Sequence, residues 1–332
     1  MDEFKIFRRD VSDLYEAIYP ITKSTLLKDL VNNLSVNISS NSPRDCEASL
    51  FLISSLSDTV TENSVDDETL NYIKKIFDSN ILDYVTTTTT NNNTNRKFNM
   101  LSYTTIRFLS SVNFIYKLQI GSPYLQSVLN FLFNSMIGST SYQLIASKTI
   151  AKICDESRSN LISFLPNFKN IITAMIDDIT VDTLIRQRII NSYASIIQGV
   201  KDPVVQGENL LYVSELVEKR ATEAISKLNE NNDENNDRII EYLTSLLSCL
   251  NSIGKGMQLP DEVEECLTDE EEKTLSDFWH QDPLNIHPKL LNLINIFTSS
   301  HPLLISNLGI TEEAVNTLQC GLTESIPGPF RF

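Results

Sequence analysis

Glycine and proline are scarce in this sequence. The chain has 9 glycines and 11 prolines among 332 residues, about half of the share that soluble proteins usually carry. Turn-rich β-sandwiches need both residues at their turns, and nucleotide-binding folds need glycine loops that let the backbone approach a phosphate. Long helices tolerate the shortage. The composition therefore predicts an all-α protein.

Cysteines are few, odd in number and never spaced as CxxC, which favours reduced thiols over a disulfide framework or a zinc motif. The three histidines lie outside any HExxH motif or Cys/His cluster, so we predict no metal and no cofactor. These residues are Cys46, Cys154, Cys249, Cys266, Cys320, His280, His287 and His301.

Basic charge is in deficit. The 27 Lys and Arg residues face 43 Asp and Glu residues, which leaves a net charge of −16. A protein that binds nucleic acid neutralises phosphates with a basic face, so we predict no direct nucleic-acid partner. Basic protein partners are compatible with this balance.

Long apolar runs are also missing. No run reaches the roughly 18 residues that suggest a membrane span, and the opening MDEFKIFRRD is too charged for a secretory signal. We therefore predict no membrane insertion and a protein of the cytoplasm or nucleus.

The motifs of common enzymes are absent as well. The sequence has no GxxxxGK[ST], GxGxxG or GxSxG motif. SIGKGMQ has the wrong glycine spacing, and Gly254 and Gly256 are interpreted as helix-end caps. Asp177 and Asp178 are adjacent and would point about 100° apart on a helix, so they cannot share a proton. We predict no catalytic residues.

Apolar residues recur at helical spacing instead. Ile185, Ile189, Tyr193, Ile196 and Val200 follow steps of 4, 4, 3 and 4. Capping residues and turns divide the chain into pairs of helices. The predicted pairs are 3–18 with 22–36, 44–62 with 66–85, 97–118 with 123–137, 142–156 with 160–177, and 182–200 with 204–228; single helices follow near 237–254, 270–280, 285–299 and 311–323.

The first helices of successive pairs begin about 40 to 55 residues apart, and the two longest intervals contain polar low-complexity segments. Without these segments the spacing is the roughly 40–47-residue period of HEAT repeats. We therefore predict a single continuous α-solenoid over residues 1–332, built from six to seven antiparallel hairpins in a right-handed superhelical stack. Flexible insertions are expected at 86–96 and 229–237, and an acidic loop near 258–272.

The segment QLIASKTIAKICDESRSNL, residues 143–161, carries residue types that reaction centres use. Ala146, Ile150 and Ile153 form an apolar stripe beside Cys154. A reactive thiolate needs an electropositive, partly exposed setting, whereas Cys154 precedes two acids. We predict a buried structural cysteine, with Asp155, Glu156 and Arg158 at the wet end of the hairpin.

An acidic run near residue 265 is the largest local charge feature. Its second half opens a predicted helix, where Thr268 or Asp269 can cap and acids suit the helix dipole. The run is either a solvated loop with a helix start or an anionic surface for a basic partner. Trp279, beside Phe278, is expected to be packed. The candidate partner-binding residues are Asp261, Glu262, Glu264, Glu265, Asp269, Glu270, Glu271 and Glu272.

Several segments of the chain form a recognisable series of motifs. In chain order they are FKIFRRDVSDLYEAIY, CEASLFLISSLSDTV, SPYLQSVLNFL, ASKTIAKICDESRSNL and, less closely, SIGKG and FWHQDPLNI. Each motif consists mostly of packing residues, so the specificity comes from their order and spacing. In this order they resemble the transportin-SR and importin-thirteen branch of the importin-β (karyopherin-β) superfamily. The resemblance covers residues 1–200 well and 201–300 loosely.

The resemblance implies a central fragment of a nuclear transport receptor that is about three times longer. It implies protein cargo, Ran GTPase and FG-repeat nucleoporins as partners of the complete receptor, a monomeric state, and shuttling between cytoplasm and nucleus. RanGTP would contact amino-terminal repeats outside this segment. Cargo would lie against the second helix of each hairpin, near 66–85, 123–137, 160–177 and 204–228. The alternatives are a HEAT-repeat scaffold of a non-transport complex and an enzyme with a sparse site.

Overall fold

A computed structural model describes residues 2–56, 60, 65–91, 99–228, 233–322 and 324–332. These residues form helices and turns and contain no strand. The chain divides into two compact units, Met1–Asn160 and Leu161–Phe332. The prediction of one continuous array over residues 1–332 stays a prediction.

The first unit contains eight α-helices within its described residues, and two short 3-10 helices (Asn113–Lys117 and Ser122–Tyr124) lie between the sixth and the seventh. The α-helices are α1 (Asp2–Thr22), α2 (Ser24–Ser39), α3 (Pro43–Ser55), α4 (Asp67–Asp78), α5 (Ile81–Asn91), α6 (Met100–Ser111), α7 (Leu125–Gly138) and α8 (Gln143–Glu156).

These helices pack in two layers. In the first layer α1 contacts α3, α3 contacts α6, and α6 contacts α8. In the second layer α2 contacts α4, α4 contacts α5, and α5 contacts α7. Helices alternate between the layers along the chain, apart from the consecutive pair α4 and α5. This is the stacking of helical hairpins, in which each pair buries its apolar face against the next.

Nine α-helices lie in the described part of the second unit, and the first of them follows a 3-10 helix (Arg158–Phe164). They are α9 (Leu165–Asp177), α10 (Thr183–Gln198), α11 (Pro203–Ile225), α12 (Asp233–Met257), α13 (Asp261–Glu264), α14 (Asp269–Gln281), α15 (Ile286–Ser299), α16 (Pro302–Ile305) and α17 (Leu308–Gln319).

The same order recurs in the second unit. Its first layer is α10, α12 and α17, and its second layer is α9, α11 and α15, with each helix contacting the next in its layer. The two layers meet through pairs such as α9 with α10 and α11 with α12. The prediction of an all-α fold of tandem helical hairpins is confirmed.

An ion pair joins the first layer of the first unit. Arg8 of α1 makes two hydrogen bonds to the carboxylate of Glu47 in α3, of 3.1 and 2.7 Å. The Thr104 hydroxyl of α6 donates to the same carboxylate at 2.5 Å. The Arg8 guanidinium also lies 3.8 Å from the ring centroid of Phe51. One carboxylate therefore connects three successive helices of the layer.

Glycines let α12 approach its neighbours closely, which corrects their interpretation as caps. Helix α12 continues to Met257, and neither Gly254 nor Gly256 has a positive φ. A Cβ at Gly256 would lie 2.6 Å from the Cβ of Ala194 and 2.7 Å from the Asn191 carbonyl oxygen, both in α10. A Cβ at Gly254 would lie 2.7 Å from the sulfur of Cys320. Both positions are packing sites that admit no side chain without movement.

Several helix boundaries also differ from prediction. Residues 66–85 form α4 and the start of α5 because Asn80 adopts a left-handed conformation (φ 54°), which asparagine tolerates better than most residues. Helix α3 ends at Ser55, before the predicted 62. Helix α5 continues to Asn91, into the predicted insertion 86–96, and α12 begins at Asp233, within 229–237. Residues 92–96 and 229–232 lie outside the described residues.

Candidate partner-binding surface

Ion pairs run along the second layer of the second unit, which includes two of the helices expected to face cargo. Arg220 of α11 contacts Asp177 of α9 at 2.6 Å and Glu223 of its own helix at 2.6 Å. Lys289 of α15 contacts Glu215 of α11 at 2.5 Å. Lys219 and Lys227 lie four residues after Glu215 and Glu223 in the sequence. The observed contacts instead pair Glu215 with Lys289 of α15 and Glu223 with Arg220. All are partly exposed, so each contributes about 1 kcal/mol or less.

An aromatic contact lies on the same layer. The Tyr212 hydroxyl of α11 and the Thr173 hydroxyl of α9 share a hydrogen bond of 2.8 Å. The Lys169 ammonium lies 4.7 Å from the Tyr212 ring centroid, within cation–π range. At the start of α11, Val204 and Val205 are exposed. The layer thus offers charges of both signs, an aromatic ring and apolar side chains, a mixture that suits protein binding.

The second layer of the first unit has a comparable polar contact beside α7. The Tyr124 hydroxyl donates to Asp78 at the end of α4, and Lys74 contacts the same carboxylate at 2.7 Å. These hydrogen bonds hold the pKa of Asp78 below its ordinary value. The Tyr124 ring stacks on Phe77 with centroids 4.9 Å apart. The cluster fixes the turn that leads into α7.

The acidic run occupies two helix starts in the second unit. Asp261, Glu262 and Glu264 lie in α13, Glu265 follows it, and the other four residues form the first turn of α14. All eight are exposed except Glu264, which is half-buried and accepts a hydrogen bond from the Ser325 hydroxyl. Their role in binding a partner stays a prediction.

The expected helix start at residue 268 is confirmed, and it has a complete capping box. The Thr268 hydroxyl accepts from the Glu271 amide at 3.3 Å, and the Glu271 carboxylate accepts from the Thr268 amide at 3.1 Å. These hydrogen bonds lower the pKa of Glu271. Lys201 lies 3.7 Å from the same carboxylate. Glu271 therefore has a structural role, whereas Glu270 and Glu272 leave their charge to solvent. Trp279 of α14 is buried, as predicted.

Arg186 is an important residue that the sequence analysis missed. It is fully buried in α10, where its guanidinium donates to the Met175 carbonyl at 3.1 Å, to the Asp178 carbonyl at 2.8 Å and to the Ser245 hydroxyl. The two carbonyls belong to the C-terminal end of α9, which carries the negative end of the helix dipole. Arg186 thus joins α9, α10 and α12. Its place next to Ile185 on an apolar stripe is the signal that could have revealed it.

Residues 143–161, which carry residue types that reaction centres use, have a packing role. Cys154 is fully buried, Asp155 and Glu156 are exposed, and Arg158 contacts Asp155 at 2.5 Å, so the prediction for this segment is confirmed. Burial also raises the pKa of Cys249 to about 12, and raises that of Cys320 to about 11. At neutral pH these thiols carry no nucleophilic charge.

Within the described residues, neither a metal site nor a membrane span is found. Throughout the described ranges, no three His, Cys, Asp or Glu side chains come together as metal ligands would. In that same part of the chain, no helix combines the length and apolar character needed to cross a bilayer.

Comparisons with known proteins supply an independent observation. Residues 1–257 match the family model described as importin beta-like KAP122 middle domain. Importin beta-like protein kap111 of Schizosaccharomyces pombe is 23% identical over 336 residues, covering 99% of this chain and 31% of that protein. The chain thus spans about a third of that relative's length. A solved circular tandem repeat protein aligns at 10% identity over 95% of this chain and 70% of its own, with a TM-score of 0.30.

Proposed function

The chain belongs to the importin beta-like KAP122 middle domain family, and on that premise we propose that it is the central segment of a nuclear transport receptor. The segment binds protein cargo and performs no chemistry. The complete receptor is a monomer that responds to RanGTP, contacts FG-repeat nucleoporins and shuttles between cytoplasm and nucleus. The family match over residues 1–257 carries this proposal. We assign the chain to the transportin-SR and importin-thirteen branch, as a counterpart of the yeast karyopherin named for pleiotropic drug resistance.

The second-layer helices are the proposed cargo surface. They are α4, α5 and α7 in the first unit and α9 and α11 in the second. Tyr212, Lys169 and the exposed valines at the start of α11 support this choice, because aromatic and apolar groups beside charges are typical of protein interfaces.

The acidic residues 261–272 form a proposed contact for a basic segment of a partner. This contact begins after residue 257, where the family match ends, so it rests on charge and exposure alone. Changing Glu270 and Glu272 to Gln removes two charges and leaves the Thr268–Glu271 capping box intact. The matched control changes Glu3 and Asp13, two exposed acids of α1, to amides. Slower association of a basic cargo, with weaker salt dependence, is expected only for the first pair.

The transport role is tested with the full-length receptor. Immobilised receptor is incubated with nuclear extract, with and without RanGTP, and the retained proteins are identified by mass spectrometry. A transport receptor changes its retained set when RanGTP is added. An identical set under both conditions would contradict the proposal and favour a scaffold without a transport role.

A further inference from the structure

Residues 324–332 form a strap that packs back against other parts of the second unit. The Phe330 side chain is 2% exposed, and a Cβ at Gly254 of α12 would lie 3.3 Å from a carbon of its ring. A Cβ at Gly321 would lie 2.4 Å from the Phe330 carbonyl oxygen. Because both glycines lack a side chain, the strap lies in direct contact with α12 and with the turn after α17.

His287 of α15 joins the strap to the helices below it. Its Nε2 lies 3.4 Å from the Gly328 carbonyl oxygen, and its Nδ1 lies 3.5 Å from the Asp282 carboxylate. The His287 ring also meets the Phe332 ring edge to face, with centroids 6.3 Å apart. The imidazole side chain is 20% exposed and the Asp282 side chain 11%, so water screens this charge contact only in part.

Both ring nitrogens of His287 therefore face oxygen atoms. The Asp282 carboxylate is held in place, because it accepts from the Ile286 and His287 amides at 2.8 Å. A neutral imidazole carries one N–H, so in either tautomer its other nitrogen turns a lone pair toward the Gly328 carbonyl or the Asp282 carboxylate. The imidazolium carries two N–H groups and a positive charge, which suit both neighbours at once. The contact between the strap and α15 is most favourable when His287 is protonated.

A second titratable group belongs to the strap itself. The Glu324 carboxyl is half-buried against Gly328, where a Cβ would lie 2.8 Å from its Oε2. Burial raises the pKa of Glu324 to about 7, an effect that Arg331 opposes and Glu264 of α13 reinforces. The neighbouring Cys320 thiol stays neutral, since burial raises its pKa to about 11. The packed strap therefore favours the protonated carboxyl, because a buried charge costs free energy.

We propose that the strap is a pH-sensitive contact, which packs against α12 and α15 while His287 and Glu324 hold a proton and loosens when they lose it. The two groups act in the same sense, because the proton on each favours the packed strap. The contribution of Glu324 is complete below about pH 4.5 and is lost as the pH rises through about 7. Loosening would expose Phe330 and the surface of α12 around Gly254.

Hydrogen exchange in the natural full-length polypeptide tests this contact. Amide exchange of the strap is followed by mass spectrometry at about pH 5 and about pH 8. Each rate is compared with that of a synthetic peptide of residues 324–332 at the same pH, which removes the intrinsic pH dependence of exchange. We expect the protection of the strap to fall at least about tenfold between these pH values, while the protection of α12 and α15 falls much less.

Two variants separate the contributions of the titratable groups. Glu324→Gln should keep the protection high at about pH 8, because an amide stays uncharged. His287→Gln should lower the protection at about pH 5, because glutamine cannot carry the charge that meets Asp282. The matched controls are Glu312→Gln of α17 and His280→Gln of α14, two exposed positions that should leave the protection unchanged at both pH values.

Three results would overturn the proposal. One is equal protection of the strap at both pH values. Another is a fall that Glu324→Gln and His287→Gln leave as large as in the natural sequence. The third is an equal fall in the strap and in α12 and α15, which would assign the effect to the stability of the whole unit. None of these results depends on cargo or RanGTP, so this proposal and the transport role fail separately.

Discussion

Replacing Arg186 with Met should remove the main connection among three helices of the second unit. The variant loses three hydrogen bonds, to the Met175 and Asp178 carbonyls and to the Ser245 hydroxyl. Hydrogen bonds with one charged partner contribute roughly 1.5–3 kcal/mol each. Part of that loss is offset, because the carbonyls are only part-buried and can regain water, and because a buried charge is removed. We expect the free energy of unfolding to fall by about 3 kcal/mol.

The chain provides its own probe and its own control for this measurement. Trp279 is the sole tryptophan, and it lies buried in the second unit. Its fluorescence during urea unfolding should show a midpoint lower by roughly 1.5 M, for a slope near 2 kcal/mol per M. Arg220→Met removes the same side chain from a partly exposed ion-pair site, and should cost about 1 kcal/mol or less, diminishing with added salt.

Two outcomes would contradict this expectation: an equal loss of stability in the two arginine variants, or an effect at Arg186 that shrinks with salt as the effect at Arg220 does. Either outcome would mean that the guanidinium of Arg186 is solvated in the folded chain. Arg186→Lys refines the test, since one ammonium keeps the charge but cannot reach all three acceptors as the planar guanidinium does. We expect this variant to recover at most half of the loss.

Three further predictions concern helix packing, capping and pH. Gly256→Ala should destabilise the chain by about 1–2 kcal/mol in urea unfolding because the added methyl meets α10, whereas Gly138→Ala, where no atom lies within 4 Å, should be neutral or slightly stabilising. Thr268→Ala should cost about 1 kcal/mol and increase amide hydrogen exchange in the first turn of α14, while Thr268→Ser should retain protection. Burial raises the pKa of Glu324 to about 7, so the folded chain keeps a proton that the unfolded chain releases, and stability should fall as pH rises from about 4.5 to 7. Glu324→Gln should reduce that fall; an unchanged pH profile of unfolding would show that the carboxyl is ionised throughout.

Helix positions could be predicted from sequence because burial and spacing are coupled. A hairpin that buries one face must repeat its apolar residues at steps of 3 and 4, and the stripe of Ile185, Ile189 and Tyr193 is indeed fully buried. The break at Asn80 could not be predicted in the same way. The apolar spacing continues across it, and only the left-handed backbone separates α4 from α5.

Glycine shows where local signals mislead. Near the end of a helical pattern, Gly254 and Gly256 favour interpretation as caps, because glycine is the common residue there. Glycine is needed at each position because a residue about sixty positions away in the sequence packs against it. That residue is Ala194 of α10 for Gly256, and Cys320 for Gly254. Packing of this kind is invisible until both helices are placed.

In the candidate partner-binding surface, too, local contacts could be predicted from the sequence and long-range contacts could not. The cap at Thr268 was predicted, because all its atoms lie within four residues. The contacts of Arg220 with Asp177 and of Lys289 with Glu215 were not, since each joins residues at least 43 positions apart. Lys219 lies four residues after Glu215 in the sequence, but the folded chain pairs Glu215 with Lys289 of another helix. The binding role of residues 261–272 stays a prediction.

The two layers of the second unit differ in how their helices are joined, which gives the unit a direction of easy bending. In the first layer, the missing side chain of Gly256 brings the backbones of α10 and α12 together, and Asn191 bonds directly to the Ser252 carbonyl. The second layer is linked through the tips of Arg220 and Lys289, long side chains that can extend as the helices separate. The helices of the first layer therefore resist separation, and those of the second layer separate more easily. Salt screens the ion pairs of the second layer, so its resistance to separation falls as salt is added.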